Sequence, residues 1–288
     1  MSRSERVIRH LRITLASALL LLAVYGCGPS GKGPGDETRV TDLCAPGNLT
    51  IKPNDGYMFL KWDVNCPEEI LLSGYSVYIS PVPLAEYKDR ALPDSIIPFN
   101  TSPYPGDTDP ENSFETNEIS NHENGVPYYV TIRTVFPDQT ESIASNEVLV
   151  YCRPEGEFTL DMRFSDDHDG FDFSEGEFVR ADGGENDIYF YRTGSTDFIA
   201  SPHRLNGYIR KSWFYSLGQT SDIYQYREIT IDYEPVNRMP LREGESYLVK
   251  TADGNYAKIR VEQFIGENRE RKVKFSYIYQ PTPELIRF

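Results

Sequence analysis

Two stretches of this chain change polarity with every residue, as a half-buried β strand requires. Tyr128, Val130 and Ile132 fall on one side of an extended backbone, and Tyr129, Thr131 and Arg133 fall on the other. Near the end of the chain, Val273, Phe275, Tyr277 and Tyr279 repeat the pattern. A period of two sends successive side chains to opposite faces of a sheet, so each stretch buries one face and wets the other. The 20 tyrosines and 15 phenylalanines, among 39% hydrophobic residues, supply the bulk for sheet cores and favour strands. An all-β chain is the expectation.

The first residues belong to export. Arg3, Arg6, Arg9 and Arg12 precede an apolar stretch from Ile13 to Tyr25, and Gly26 stands directly before Cys27. That order reads as a secretory signal over residues 1–26, too short for the roughly 20 apolar residues of a spanning helix. Val24-Tyr25-Gly26-Cys27 resembles the bacterial lipobox. The resemblance implies that the Cys27 thiol receives diacylglycerol, the preceding peptide is cut away and the new amino terminus is acylated. With about 0.8 kcal/mol for each buried methylene, more than one acyl chain makes release into water slow. An ordinary secreted protein cut near a cysteine is the plainer alternative. In similar lipoproteins an aspartate after the lipid cysteine favours inner-membrane retention; Gly28 stands there, so the outer membrane is expected, on either its periplasmic or its cell-surface face.

The full chain carries 29 basic and 44 acidic residues; without the four signal arginines and Glu5 the remainder carries 25 and 43, a net charge of −18. An acidic surface repels polyanions, so nucleic acid is not an expected partner. Residues 27–42 are rich in glycine and lack apolar periodicity, which reads as a lipidated flexible linker. Gly26, Gly31 and Lys32 match most of a phosphate-binding loop, but no strand-to-helix context surrounds them, and signal cleavage would separate Gly26 from the rest.

Residues 43–153 read as short strands between turn signals, over Asn48 to Lys52, Tyr57 to Val64, Gly74 to Ser80, Tyr128 to Val135 and Ser142 to Tyr151. Pro81 to Asn112 reads as loop with one or two edge strands. Ala45-Pro46, Leu49, Trp62, Gly74-Tyr75-Ser76-Val77-Tyr78, Tyr128 and Ser145-Asn146-Glu147-Val148 together resemble a fibronectin type III domain. The resemblance implies a β-sandwich that serves as spacer or interaction module, with Trp62 filling the core and Tyr128 hydrogen-bonding across a corner. Once Cys27 is lipidated, three thiols remain in an oxidising compartment. In such a sandwich the approach to the first strand and the loop after the second share a pole, which implies a Cys44 to Cys66 bridge and leaves Cys152 free and buried.

Residues 155–288 also read as mostly β, with Arg210 to Gly218 as a candidate short helix. Ser246 to Glu262 reads as a hairpin around Asp253-Gly254, with positive φ at both central turn residues. Val273 to Tyr279 adds a third strand, and this meander needs a covering sheet. Glu243 to Arg260, with Phe275 to Gln280 and Asp187-Ile188-Tyr189-Phe190, resembles HmuY-family lipoproteins. That resemblance implies a surface β domain able to hold haem between two histidines. The family's tryptophan before the Asp-Ile pair is replaced by Asn186, and Tyr191 occupies the place where a ligand histidine is sought.

Of the four histidines, His10 leaves with the signal and His122 falls in a polar loop of the fibronectin-like region. His168, His203 and Tyr191 are the candidate haem ligands, weighed against solvated loop residues. Ser165 to Asp172 resembles part of a calcium loop, with Asp167, Asp169 and Asp172 as the candidate Ca2+ ligands; the EF-hand spacing fails, leaving an acidic solvated turn as the simpler account. Asp107 and Asp109 form a sparser acidic pair. No GxSxG, HExxH, CxxC or nucleotide loop in a strand-to-helix setting occurs, so no catalytic residue is assigned. The expectation is a non-enzymatic, membrane-anchored binding or scaffolding module without a cofactor. Haem or other small-ligand capture is the alternative, and an accessory to an extracytoplasmic hydrolase a third.

Overall fold

A computed structural model describes residues 40–288, apart from 68, 106–111, 116–121, 164–167, 206, 208–209 and 233. The expected signal, Cys27, most of the 27–42 linker, Asp107, Asp109 and Asp167 lie outside the described residues. The linker's last described residues enter a short helical turn, α1 (Val40–Leu43).

The alternation at Tyr128 and its neighbours becomes one strand of a sandwich, but the face expected in water is buried too. Thr131 and Arg133 are both enclosed, and Arg133 donates to Arg90 O at 2.9 Å in the loop after the third strand. β1 (Gly47–Pro53), β2 (Met58–Asp63), β3 (Gly74–Ser80), β4 (Asn112–Glu115), β5 (Pro127–Val135) and β6 (Val148–Tyr151) form two antiparallel sheets. Their orders are β1-β2-β4 and β3-β5-β6. Exchanging the third strand into the opposite sheet is the immunoglobulin and fibronectin arrangement with one edge strand omitted. Trp62, Met58 and Leu60 from one sheet meet Tyr75, Val77, Val130 and Ile132 from the other in a shared core. The Trp62 and Tyr75 rings pack edge to face with centroids 5.1 Å apart. Such a contact adds about 1 kcal/mol beyond the area buried.

The sixth strand is shorter than the Ser142 to Tyr151 stretch read from the sequence. Ser142 and Ser145 leave the ladder, and their hydroxyls accept the amides of Thr134 and Ile132 at 3.0 Å. Asn146 then crosses to the other sheet, accepting from Leu49 N at 2.8 Å and donating to Leu49 O at 3.0 Å. Polar side chains thus satisfy the backbone where strand pairing is expected.

The second half contains β7 (Glu155–Asp161), β8 (Gly170–Asp172), β9 (Glu177–Val179), β10 (Ile188–Thr193), β11 (Thr196–Ala200), β12 (Trp213–Gln219), β13 (Arg238–Pro240), β14 (Glu245–Lys250), β15 (Tyr256–Ile265) and β16 (Lys272–Gln280). They build two five-stranded sheets, β12-β14-β15-β16-β7 and β13-β11-β10-β8-β9. The second sheet supplies the cover that the hairpin and third strand require. Between the sheets, Phe158 stacks on Phe171 at 4.0 Å, and Phe214, Tyr247, Ile259 and Phe275 complete the core.

Two local expectations change. The segment predicted as a helix at Arg210 to Gly218 is largely strand, because Phe214 faces the inner core while Tyr215 and Trp213 face outward. That is strand alternation in residues with high strand propensity. The hairpin loop is also longer than a two-residue turn: Thr251 N bonds Asn255 O, Gly254 N bonds Thr251 O, and of the pair only Gly254 has a positive φ, of 85°. This is the three-residue loop in which glycine takes the left-handed position.

A third layer covers the outer face of β12-β14-β15-β16-β7. Ile223, Ile229, Ile231, Ile286 and Phe288 pack there against Tyr215, Leu248, Tyr256 and Ile278. The two sandwiches follow each other without a spacer, and the described residues form one compact unit. Tyr279 N donates to Pro154 O at 2.9 Å, and Thr282 Oγ1 donates to Gly125 O at 2.6 Å.

Candidate functional site

The sequence-selected residues separate into braces and surface groups. Cys44 and Cys66 form a disulfide, and Cys152 is free and buried, with its thiol pushed up to about 12 by burial. Trp62 is fully enclosed in the first core. The Tyr128 hydroxyl accepts the Glu123 amide at 3.1 Å, five residues upstream, which is the geometry of a tyrosine corner. His122, expected in a polar loop, is buried between the rings of Phe99 and Tyr128, and burial lowers its pKa.

The haem candidates do not converge. His168 is exposed against Phe178 of β9, whereas His203 follows β11 and bonds Ser201 Oγ at 2.7 Å beside Asn237, next to β13. β9 and β13 are opposite edges of one sheet, four strand spacings or about 19 Å apart. Two imidazoles so placed cannot meet at one iron, so the pair does not fit bis-histidine haem. Tyr191 stands on β10, stacked on Phe198 at 5.3 Å, and its hydroxyl accepts from Arg238 at 3.2 Å.

The calcium candidates are also committed elsewhere. Asp169 Oδ1 accepts the Ala181 amide at 2.7 Å, and Asp172 Oδ1 accepts the amide and hydroxyl of Ser174 at 2.8 and 2.6 Å. These carboxylates brace loops in place of an ion. Among the described residues no group of three or more His, Cys, Asp or Glu side chains could hold a metal.

Three features were not selected from sequence. Asp187, the first residue of the Asp-Ile pair, is fully buried at one end of the second sandwich. It accepts Arg210 Nη2 at 3.1 Å and Phe173 N at 3.1 Å, and Arg210 reaches on to Asp253 in the hairpin loop. Burial outweighs the Arg210 charge and pushes the Asp187 carboxyl up to about 7. Lys258 is fully buried beneath the third layer, where its Nζ donates to the carbonyls of Gln225 and Tyr226 and lies 4.9 Å from the Phe288 ring centroid. Burial, reinforced by Arg153, lowers its pKa to about 7. The covering segment that encloses it is distant in sequence.

The third feature is a groove of about 530 Å³ beside the hairpin loop. Trp213 and Tyr215 of β12 and Pro235 supply its aromatic and apolar wall. Lys211, Lys250, Asp253 and Glu284 supply its charged rim. Trp213 is half-buried, with Lys211 Nζ 4.0 Å from its ring centroid; Lys250 pairs with Glu284 at 2.7 Å. Alternate outward residues on β12 carry this surface, hidden in the sequence by the helical reading of the segment.

No family model matches the chain, and no curated protein matches it. Solved structures are similar only remotely. One described as a myokine is 16% identical with a TM-score of 0.25, over 38% of this chain and 98% of its own. The chicken interferon gamma receptor alpha chain is 13% identical with a TM-score of 0.26, over 75% and 89%. The twitchin kinase region of C. elegans is 11% identical with a TM-score of 0.26, over 83% and 39%. Likenesses this low transfer no function.

Proposed function

We propose that the chain is an exported lipoprotein, held at the outer membrane by lipid on Cys27, that works as a non-enzymatic binding module. The groove at Trp213 is the observation that carries the binding reading. A half-buried indole beside a tyrosine offers a flat apolar contact, and four charged side chains at the rim offer hydrogen bonds in both senses. Apolar walls with a few directed polar groups are the general pattern of small-ligand sites. Ring faces bordered by donors and acceptors suit a sugar unit, so a glycan is the ligand class we assign.

The Cys44–Cys66 disulfide supports the compartment, since such bonds persist where the surroundings are oxidising. No described helix is long and apolar enough to cross a membrane, and the lipid on Cys27 is the anchor in this reading. The fibronectin-like half then serves as the spacer that displays the second sandwich.

A glycan array probed with the mature chain and with Trp213→Ala tests the binding half. Retained spots for the mature chain that disappear in the variant are expected. An array without binding, or binding indifferent to Trp213, would remove the groove from the account.

A further inference from the structure

The seam between the two sandwiches contains a second cavity, separate from the Trp213 groove, of about 220 Å³. That is about seven waters at roughly 30 Å³ each, the size of a small organic acid. Among the described residues, four cationic side chains line it, Lys52, Arg153, Arg227 and Arg287, with Glu228 as the one acidic lining residue. In a chain of net charge −15 this is a local reversal of sign.

The existing carboxylates leave part of that charge unanswered. Glu228 pairs with Arg287 at 3.6 Å. Glu155, beside the cavity, accepts from the Tyr224 hydroxyl at 2.9 Å and lies 3.9 Å from Lys52. It acts on Arg153 through space without hydrogen-bonding it, and its own Oε2 is buried without a partner. Arg153 is only 6% exposed, and its Nε is buried with no acceptor. A buried guanidinium without an acceptor costs more than a normal hydrogen bond returns, so the site is built for something that accepts. Arg153 and Arg227 also both disfavour the charge on neighbouring Lys258, a further sign of crowded cations.

We propose that this seam binds a small carboxylate, with its oxygens on Arg153 and Arg227 and its carbon skeleton beside Leu149 and Phe288. The planar guanidinium fork matches a carboxylate in two parallel hydrogen bonds, which Lys52 cannot supply. Because the ligand touches both sandwiches, binding fastens the seam and raises the stability of the folded unit.

The test is thermal unfolding and calorimetric titration of the mature chain with benzoate and with pyruvate. Inorganic phosphate serves as the competing oxyanion and benzyl alcohol as the uncharged control. A raised melting temperature with a carboxylate, and none with benzyl alcohol, is expected. Arg227→Gln, at an exposed position, keeps the fold and loses affinity by about tenfold or more, the loss expected for one charged hydrogen bond. Arg153→Gln loses at least as much; should it fail to fold, the Arg227 variant decides alone. No response to either carboxylate, a stronger response to phosphate, or an unchanged affinity in Arg227→Gln would overturn the assignment. The glycan array reads Trp213 and is independent of every one of these outcomes.

Discussion

Asp187→Asn separates the electrostatic cost of Asp187 from its bracing role. In the folded chain its carboxyl is pushed up to about 7 by burial, against about 3.9 in an unfolded chain. A raised carboxyl pKa means that the folded state holds the proton more tightly than the unfolded state. Its contribution to stability is therefore full below about pH 4 and declines as pH rises through about 7. Integrating both titrations gives a decline of about 3 kcal/mol between pH 5 and pH 8 from this one group. Asparagine keeps the shape and does not titrate. One of its two atoms becomes a donor, so either Phe173 N or Arg210 loses an acceptor, at a fixed cost of about 1–3 kcal/mol. Urea denaturation of both proteins at pH 5 and pH 8 isolates the titrating part, because all other groups cancel in the comparison. The variant is less stable at pH 5, and the gap narrows or reverses by pH 8. A stability difference that is equal at the two pH values would refute the reasoning.

Lys258 gives the opposite slope: with its folded pKa lowered to about 7, the chain gains about 2 kcal/mol relative to Lys258→Met between pH 7 and pH 9, again read from denaturation. Replacing both Cys44 and Cys66 with serine opens a bridge spanning 22 residues and costs about 3 kcal/mol, measured as a drop in melting temperature with unchanged far-ultraviolet circular dichroism. Gly74 has a φ of 132°, and an added Cβ would lie 2.3 Å from Tyr104 O, so Gly74→Ala is expected to destabilise by about 2–3 kcal/mol in the same assay. Haem titration is expected to give no bis-histidine Soret band, since His168 and His203 occupy opposite sheet edges; a band abolished by removing both would show that they do meet.

The long strands were legible because each carries its own alternation. Gly74 to Ser80 was read with the bounds it adopts, and the strand at Tyr128 to Val135 begins one residue earlier in the structure. β8, β9 and β13 were not, because three residues are too few to display a period. Trp213 was hidden for a different reason: the strand it opens alternates between two apolar surfaces, the inner core and the third layer, so no polar face marks it. Asp187, Lys258 and Arg153 take their character from partners far away in sequence. Arg210, the Gln225 and Tyr226 carbonyls and the seam reach them only through the tertiary fold, so no local spacing announces them.

The proposed function depends most on where the folded unit is held. Mass spectrometry of the native protein is expected to show a chain that begins at Cys27 and carries diacylglycerol on sulfur and an acyl group on the new amino terminus. A chain with residues 1–26 still attached and a bare thiol at Cys27 would contradict it.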